Sequence, residues 1–209
     1  MKKTCAAFIF DGFADHQLAL AIANLRQSGD FSIETFSLGG GMVSSWSGLR
    51  VIPNTSLRYM DPEDFDLLLL PGGDRWEKGD NLEVFPLIKA TAGHRPLAAI
   101  CSATLALADL GLLNTIPHTS NFPGYLEQYC PDYTGSHLYR SQPCVNATDI
   151  ITINGTALIG LAHSLLSCPL DISPAGTNIF REPLTERFNT LREIYATDHE
   201  FFDSTYAGT

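Results

Sequence analysis

One cysteine stands where reactive chemistry is readily built. In "PLAAICSATLALADLGLL", residues 96–113, an apolar run ends on Cys101 and a helical pattern of small residues begins at once. A helix N-terminus offers unpaired N–H groups and the positive end of its dipole, which favour thiolate over thiol. The same amides can hold a developing oxyanion. A tight strand-to-helix turn strains its central residue and needs small neighbours; Ala99, Ser102 and Ala103 supply them. Residue types alone leave two readings open, a nucleophile or a buried spacer, because buried cysteines are common.

The elements that would position such a cysteine are legible around it. "CAAFIF" and "FSIETFSLG" read as strands, and "HQLALAIANLRQSG" as a helix with Leu18, Ala21, Ile22 and Leu25 at helical spacing. "GGMVSSWSGLRVIPNTSL" has the punctuation of an excursion containing short strands. "FDLLLLPGG" is a continuous apolar run ended by Pro-Gly-Gly, the pattern of a strand buried on both faces. "NLEVFPLIKATAGH" predicts a helix bent or delayed by Pro86. The strand "PLAAI", the helix "SATLALADLGLL", a short helix in "FPGYLEQYC" and two strand pieces in "CVNATDIITI" follow, and "NGTALIGLAHSLLS" predicts a last core helix.

Strands alternating with helices imply a mostly parallel sheet with helices on both faces. Ligands of such sheets sit at the carboxyl ends of the strands. The loops "DGFADHQ", "PGGDRW" and "CSAT" leave those ends. After Pro169 a loop-like stretch precedes an amphipathic helix, "LTERFNTLREIYATDHEFF", expected to pack on its own domain or on a partner subunit. We expect one α/β domain over residues 1–168 and a C-terminal loop and helix extension over 169–209.

Composition narrows the function classes. The 209 residues suit one large domain, and a hydrophobic content of 44% supports a substantial core. Thirteen basic residues face 23 acidic ones, without a basic patch, so nucleic acid and membrane surfaces are not expected partners. No apolar run approaches the roughly 20 residues needed to span a bilayer. The apolar run after Lys2 and Lys3 stops at Asp11, too soon for a signal-peptide core, which points to the cytoplasm. There the five cysteines are expected as thiols, with Cys130 and Cys144 the one pair considered for a bridge. The six histidines do not fall at zinc-site spacing, and no phosphate loop or dinucleotide pattern is present, so neither metal nor cofactor is expected.

"AAICSATLALADLGLLN" resembles the nucleophile-elbow segment of the ThiJ/PfpI superfamily, cysteine enzymes and sensors related to class I glutamine amidotransferases. "LLLLPGGDRW" resembles its strand and Pro-Gly-Gly loop, and "FIFDGFADHQLALA" its first strand and acidic loop. "PHTSN" and "DIITINGTALIGLA" resemble later landmarks, so the likeness runs in order over residues 4–168. It implies a flavodoxin-like three-layer α/β/α sandwich, a reactive thiol at Cys101, and an anion pocket made by the amides of Gly73 and Ser102. It also implies a homodimer acting on a small-molecule substrate.

Two positions depart from the family's pattern. Its usual glutamate, whose protonated carboxyl hydrogen-bonds the cysteine sulfur, aligns with Gln17. A glutamine amide can still donate a hydrogen bond to a thiolate but cannot exchange a proton at useful pH. Nearby Asp11, Asp15 and His16 could compensate for the missing carboxyl, though Asp15 and His16 at a strand end read first as solvated turn residues. The family's usual histidine position aligns with Asn121, with His118 three residues earlier. A short offset could bring His118 to the cysteine in its place, although strand alternation would point it differently, so both are candidate site residues and a Cys-His-acid triad is not supported. The leading expectation is a cysteine-dependent hydrolase or lyase attacking amides or reactive carbonyls. The alternative is a non-catalytic sensor or stress-response binding protein in which the same thiol meets oxidants or electrophiles.

Overall fold

Three neighbouring strands rich in apolar residues flank or bear the cysteine turn. The computed structural model describes residues 2–156. In chain order its elements are β1 (Lys3–Phe8), α1 (Asp15–Gln27), β2 (Phe31–Ser37), β3 (Val43–Ser44), β4 (Arg50–Val51), β5 (Thr55–Ser56), β6 (Leu67–Leu70), α2 (Asp74–Glu77), α3 (Phe85–Thr91), β7 (Leu97–Ile100), α4 (Thr104–Asp109), α5 (Tyr125–Tyr129), β8 (Cys144–Ala147) and β9 (Ile150–Ile153). Every residue of β6, β7 and β9 is buried.

Seven strands form one sheet in the order β5-β2-β1-β6-β7-β9-β8, with β3 and β4 a separate two-stranded ladder. All neighbours in the large sheet are parallel except β8 and β9, the two strand pieces expected around a polar turn. The crossover from β1 to β2 runs one way along the sheet and that from β6 to β7 the other. Right-handed crossovers in opposite directions put α1 and α3 on opposite faces. This is the flavodoxin-like α/β fold expected, and its strand order reverses between β1 and β6. The predicted last core helix and the 169–209 extension lie outside the described residues.

Local signals account for where elements stop. Pro86 sits in the first turn of α3, after a 3-10 turn at Leu82–Val84, so the proline delays the helix. The helix expected over 102–113 is shorter: a 3-10 turn at Cys101–Ala103 leads into six residues of α4, and Gly111 at φ 71° follows. A glycine in the left-handed region is the ordinary helix stop. Cys5, Cys101 and Cys130 carry free thiols, so Cys130 does not bridge to Cys144.

The core beneath the strand ends is aromatic. Phe8 is fully buried, with ring centroids 5.2 Å from Phe10, 5.3 Å from Phe36 and 6.0 Å from Trp76. We predict that Phe8→Ala lowers the unfolding free energy by about 3–5 kcal/mol, read as a lower denaturant midpoint with an unchanged slope.

Candidate active site

Cys101 follows β7, and the glycines after its two neighbours in the sheet, β6 and β9, close against it. Cys101 itself is half-buried and adopts φ 58°, a left-handed conformation unfavourable for any residue with a β-carbon. Glycines make room for its side chain. A β-carbon on Gly72, after β6, would lie 2.8 Å from Cys101 Cβ and 3.1 Å from its Sγ. One on Gly155, after β9, would lie 2.7 Å from Sγ. Real β-carbons do not approach so closely, so both positions require glycine while the sulfur stays where it is.

Gln17 reaches this cluster because it lies on the buried side of α1 with Leu18, Ala21 and Leu25. Its Oε1 accepts the Gly72 N–H at 3.0 Å. An N–H donor can meet only the amide oxygen, which fixes the orientation of the side chain and leaves its NH2 end as a donor. The point above Gly72 that meets Cys101 also meets Gln17 Oε1 at 2.8 Å. The structure thus brings Gln17 and Cys101 together across one glycine.

Gly73 and Ser102 meet as well, in a different arrangement from the expected pocket. Ser102 Oγ donates to the Gly73 carbonyl at 2.8 Å and accepts the Gly73 N–H at 2.9 Å. The Gly73 amide, expected to face an anion, is therefore engaged by the Ser102 hydroxyl. Gly73 has φ 155°, and a β-carbon there would run into Gly12 O at 2.7 Å.

Asn121 stands at the sulfur and His118 does not. The contact point above Gly155 that meets Cys101 Sγ lies 3.0 Å from Asn121 Oδ1, and Gly155 N–H donates to that oxygen at 3.2 Å. Asn154 Nδ2 secures the segment by donating to the carbonyls of Ser120 and Asn121. His118 is fully buried, with Nδ1 2.7 Å from the Ile116 carbonyl and Nε2 2.5 Å from the Tyr133 hydroxyl. Both ring nitrogens are occupied, leaving none for the sulfur. The candidate placement of His118 in the site is corrected: it is a polar core residue, and burial pushes its pKa below 6.5.

The first loop is structural in the way its residue types suggest. Asp11 accepts the Ser44 N–H at 2.8 Å and faces Arg75 at 3.9 Å. The Asp15 carboxylate accepts from the Ser47 hydroxyl and amide, and His16 lies 5.7 Å from Trp46 between ring centroids. These contacts tie the β3–β4 ladder to the loop before α1. Ala14 N–H donates to Gly72 O at 2.8 Å, joining that loop to the Pro-Gly-Gly turn.

Two residues at the site were not singled out by sequence. The Tyr125 hydroxyl donates to Glu77 Oε1 at 2.6 Å. Tyr125 is 2% exposed, and its hydroxyl stands beside Asn121 and within electrostatic reach of Cys101. Burial first, then the Glu77 carboxylate, raises its pKa and keeps it protonated. Glu77 was legible only as the fourth residue after Gly73, and Tyr125 only as the start of a short helix; their 48-residue separation carries no local signal.

Fold and site together define a flavodoxin-like α/β protein with a strained cysteine at a strand-to-helix elbow. The chain belongs to the DJ-1/PfpI family, whose sequence model matches residues 3–167. It is 31% identical to "Uncharacterized protease YoaZ" of Bacillus subtilis, over 76% of this chain and 80% of that protein. It is 35% identical to "Uncharacterized protease YdeA" of the same organism, over 79% and 82%. The DJ-1 superfamily protein Atu0886 from Agrobacterium tumefaciens superposes with a TM-score of 0.76 at 32% identity, covering 95% of this chain and 100% of that one.

Two predictions follow from this geometry. Gly72→Ala forces its new β-carbon against Cys101 and Gln17, so alkylation of Cys101 slows roughly tenfold to a hundredfold while far-ultraviolet circular dichroism is retained. For His118 the folded pKa lies below the unfolded value, so the unfolded chain binds the proton first as pH falls. Its contribution to stability is complete above pH 6.5 and declines in acid. Melting temperatures measured from pH 7.5 to 5 should fall less steeply for His118→Gln than for the parent protein.

Proposed function

We propose that the protein is a cysteine-dependent hydrolase or lyase of small electrophiles, with the Cys101 thiolate attacking an amide or reactive carbonyl. The observation that carries this reading is the left-handed Cys101 turn, with Gly72 and Gly155 closed against its side chain. A strained conformation of this kind persists only where the surroundings hold it. The hydrolytic names of relatives support the reaction class: two are named uncharacterized proteases, and one from Thermococcus kodakarensis is named a deglycase. That deglycase is 28% identical over 53% of this chain and 67% of its own length.

In this reaction the thiolate attacks the carbonyl carbon and the Ser102 amide receives the oxyanion. The Gly73 amide joins it when the Ser102 hydroxyl turns away. The NH2 end of Gln17 and the Asn121 side chain orient the reacting groups. A homodimer is part of the proposal; exposed Met42, Trp46, Leu49 and Ile52 around the β3–β4 ladder offer it an apolar face.

One observation favours the sensor reading: neither Gln17 nor the engaged His118 can exchange protons with the sulfur. The two readings separate by experiment. Iodoacetamide should modify Cys101 before Cys5 and Cys130, which are buried with their thiol pKa values pushed up. A panel of activated esters, amides and 2-oxoaldehydes should be turned over by the parent protein, faster by Gln17→Glu, and not by Cys101→Ala. Turnover surviving in Cys101→Ala would sink the enzyme reading, and a labelled Cys101 without any turnover would favour the sensor.

A further inference from the structure

The proposed hydrolysis leaves one step without a residue. Once an acyl group sits on Cys101 Sγ, water must lose a proton to attack it. Gln17 cannot accept that proton, and both ring nitrogens of His118 are occupied. Tyr125 and Glu77 form a hydrogen-bonded pair beside Asn121.

Tyr125 packs its ring against Phe122 and Tyr129, with centroids 5.1 and 5.2 Å away. The ring is buried, and the hydroxyl proton points at Glu77 Oε1 at 2.6 Å. A phenol has one O–H to donate and keeps lone pairs on the same oxygen. With its proton committed to Glu77, Tyr125 offers those lone pairs toward Asn121, whose side chain meets Cys101 across Gly155. Glu77 is exposed to solvent at the end of α2. A proton delivered to it can leave to bulk water.

We propose that Tyr125 and Glu77 form the proton relay that hydrolyses an acyl group carried on Cys101; this rests on the covalent reading above. Water's O–H bond breaks and its proton joins Tyr125 Oη, while the original Tyr125 proton moves to Glu77 Oε1. The water oxygen bonds to the acyl carbon, and the C–S bond breaks. Cys101 leaves as thiolate, the product is a carboxylic acid, and Glu77 returns its proton to solvent. The relay suits acyl substrates released by hydrolysis, such as activated esters and amides.

The test is acetyl transfer from p-nitrophenyl acetate, followed as the nitrophenolate burst, as steady-state release, and as acetylated Cys101 by mass spectrometry. Tyr125→Phe keeps the packed ring and removes the relay oxygen; stoichiometric acetylation of Cys101 in that variant shows that the site is intact. We expect its burst to survive while release of the acetyl group slows about a hundredfold, with Glu77→Gln slowed in the same step. Hydroxylamine attacks a thioester without needing a base, so it should restore release in Tyr125→Phe. Unchanged release, slow release that hydroxylamine does not restore, or loss of acetylation in Tyr125→Phe would each overturn the relay. Absence of acetylated Cys101 in the parent protein would overturn the covalent reading and the relay with it.

Discussion

The left-handed backbone at Cys101 is the constraint around which the rest of the site is arranged. Holding a non-glycine residue at φ 58° costs about 1–3 kcal/mol, and the surrounding contacts must offset it. The preceding strand β7 is clamped between β6 and β9 and buried on both faces. On the following side Thr104 Oγ1 donates to the Cys101 carbonyl at 2.7 Å and pairs with Ser120 Oγ at 2.6 Å. Ser102 grips both the N–H and the carbonyl of Gly73. The strained turn is thus tied on both sides to segments that are themselves fixed to the sheet.

The same ties explain why glycine recurs at the carboxyl end of the sheet. Gly72 and Gly155 lie where any β-carbon would displace Cys101, and Gly73 lies where one would strike Gly12 and Phe10. These are steric requirements of close backbone approach. They also couple loops distant in sequence: the loop before α1 hydrogen-bonds to the Pro-Gly-Gly turn, and the β3–β4 ladder hydrogen-bonds to that loop.

Polar groups near the sulfur divide by whether their hydrogen bonds are complete. His118 is buried with both nitrogens engaged, so protonating it would put a charge in the core. Tyr125 is buried too, yet its hydroxyl reaches a solvent-exposed carboxylate. The first arrangement suits a structural histidine. The second joins a buried phenol beside Asn121 to a carboxylate in water.

The sequence by itself determined the alternating α/β order, the buried strands and the cysteine at the end of one of them. Apolar runs such as "LLLL", the Pro-Gly-Gly stop and the small residues after Cys101 are local features, and local features are visible along a chain. The resemblance also pointed to Gln17, whose side chain the structure brings to Cys101 across Gly72. Tertiary structure decided which side chains surround the sulfur. Asn121 and His118 are three residues apart, and the hydrogen bonds that hold Asn121 to Asn154 and Gly155 and His118 to Ile116 and Tyr133 set which one stands at the site. Ser102's hold on the Gly73 amide and the Tyr125–Glu77 contact arise between loops on different strands. Such pairings depend on how the strand ends are brought together in the sheet, so no spacing within one segment announces them.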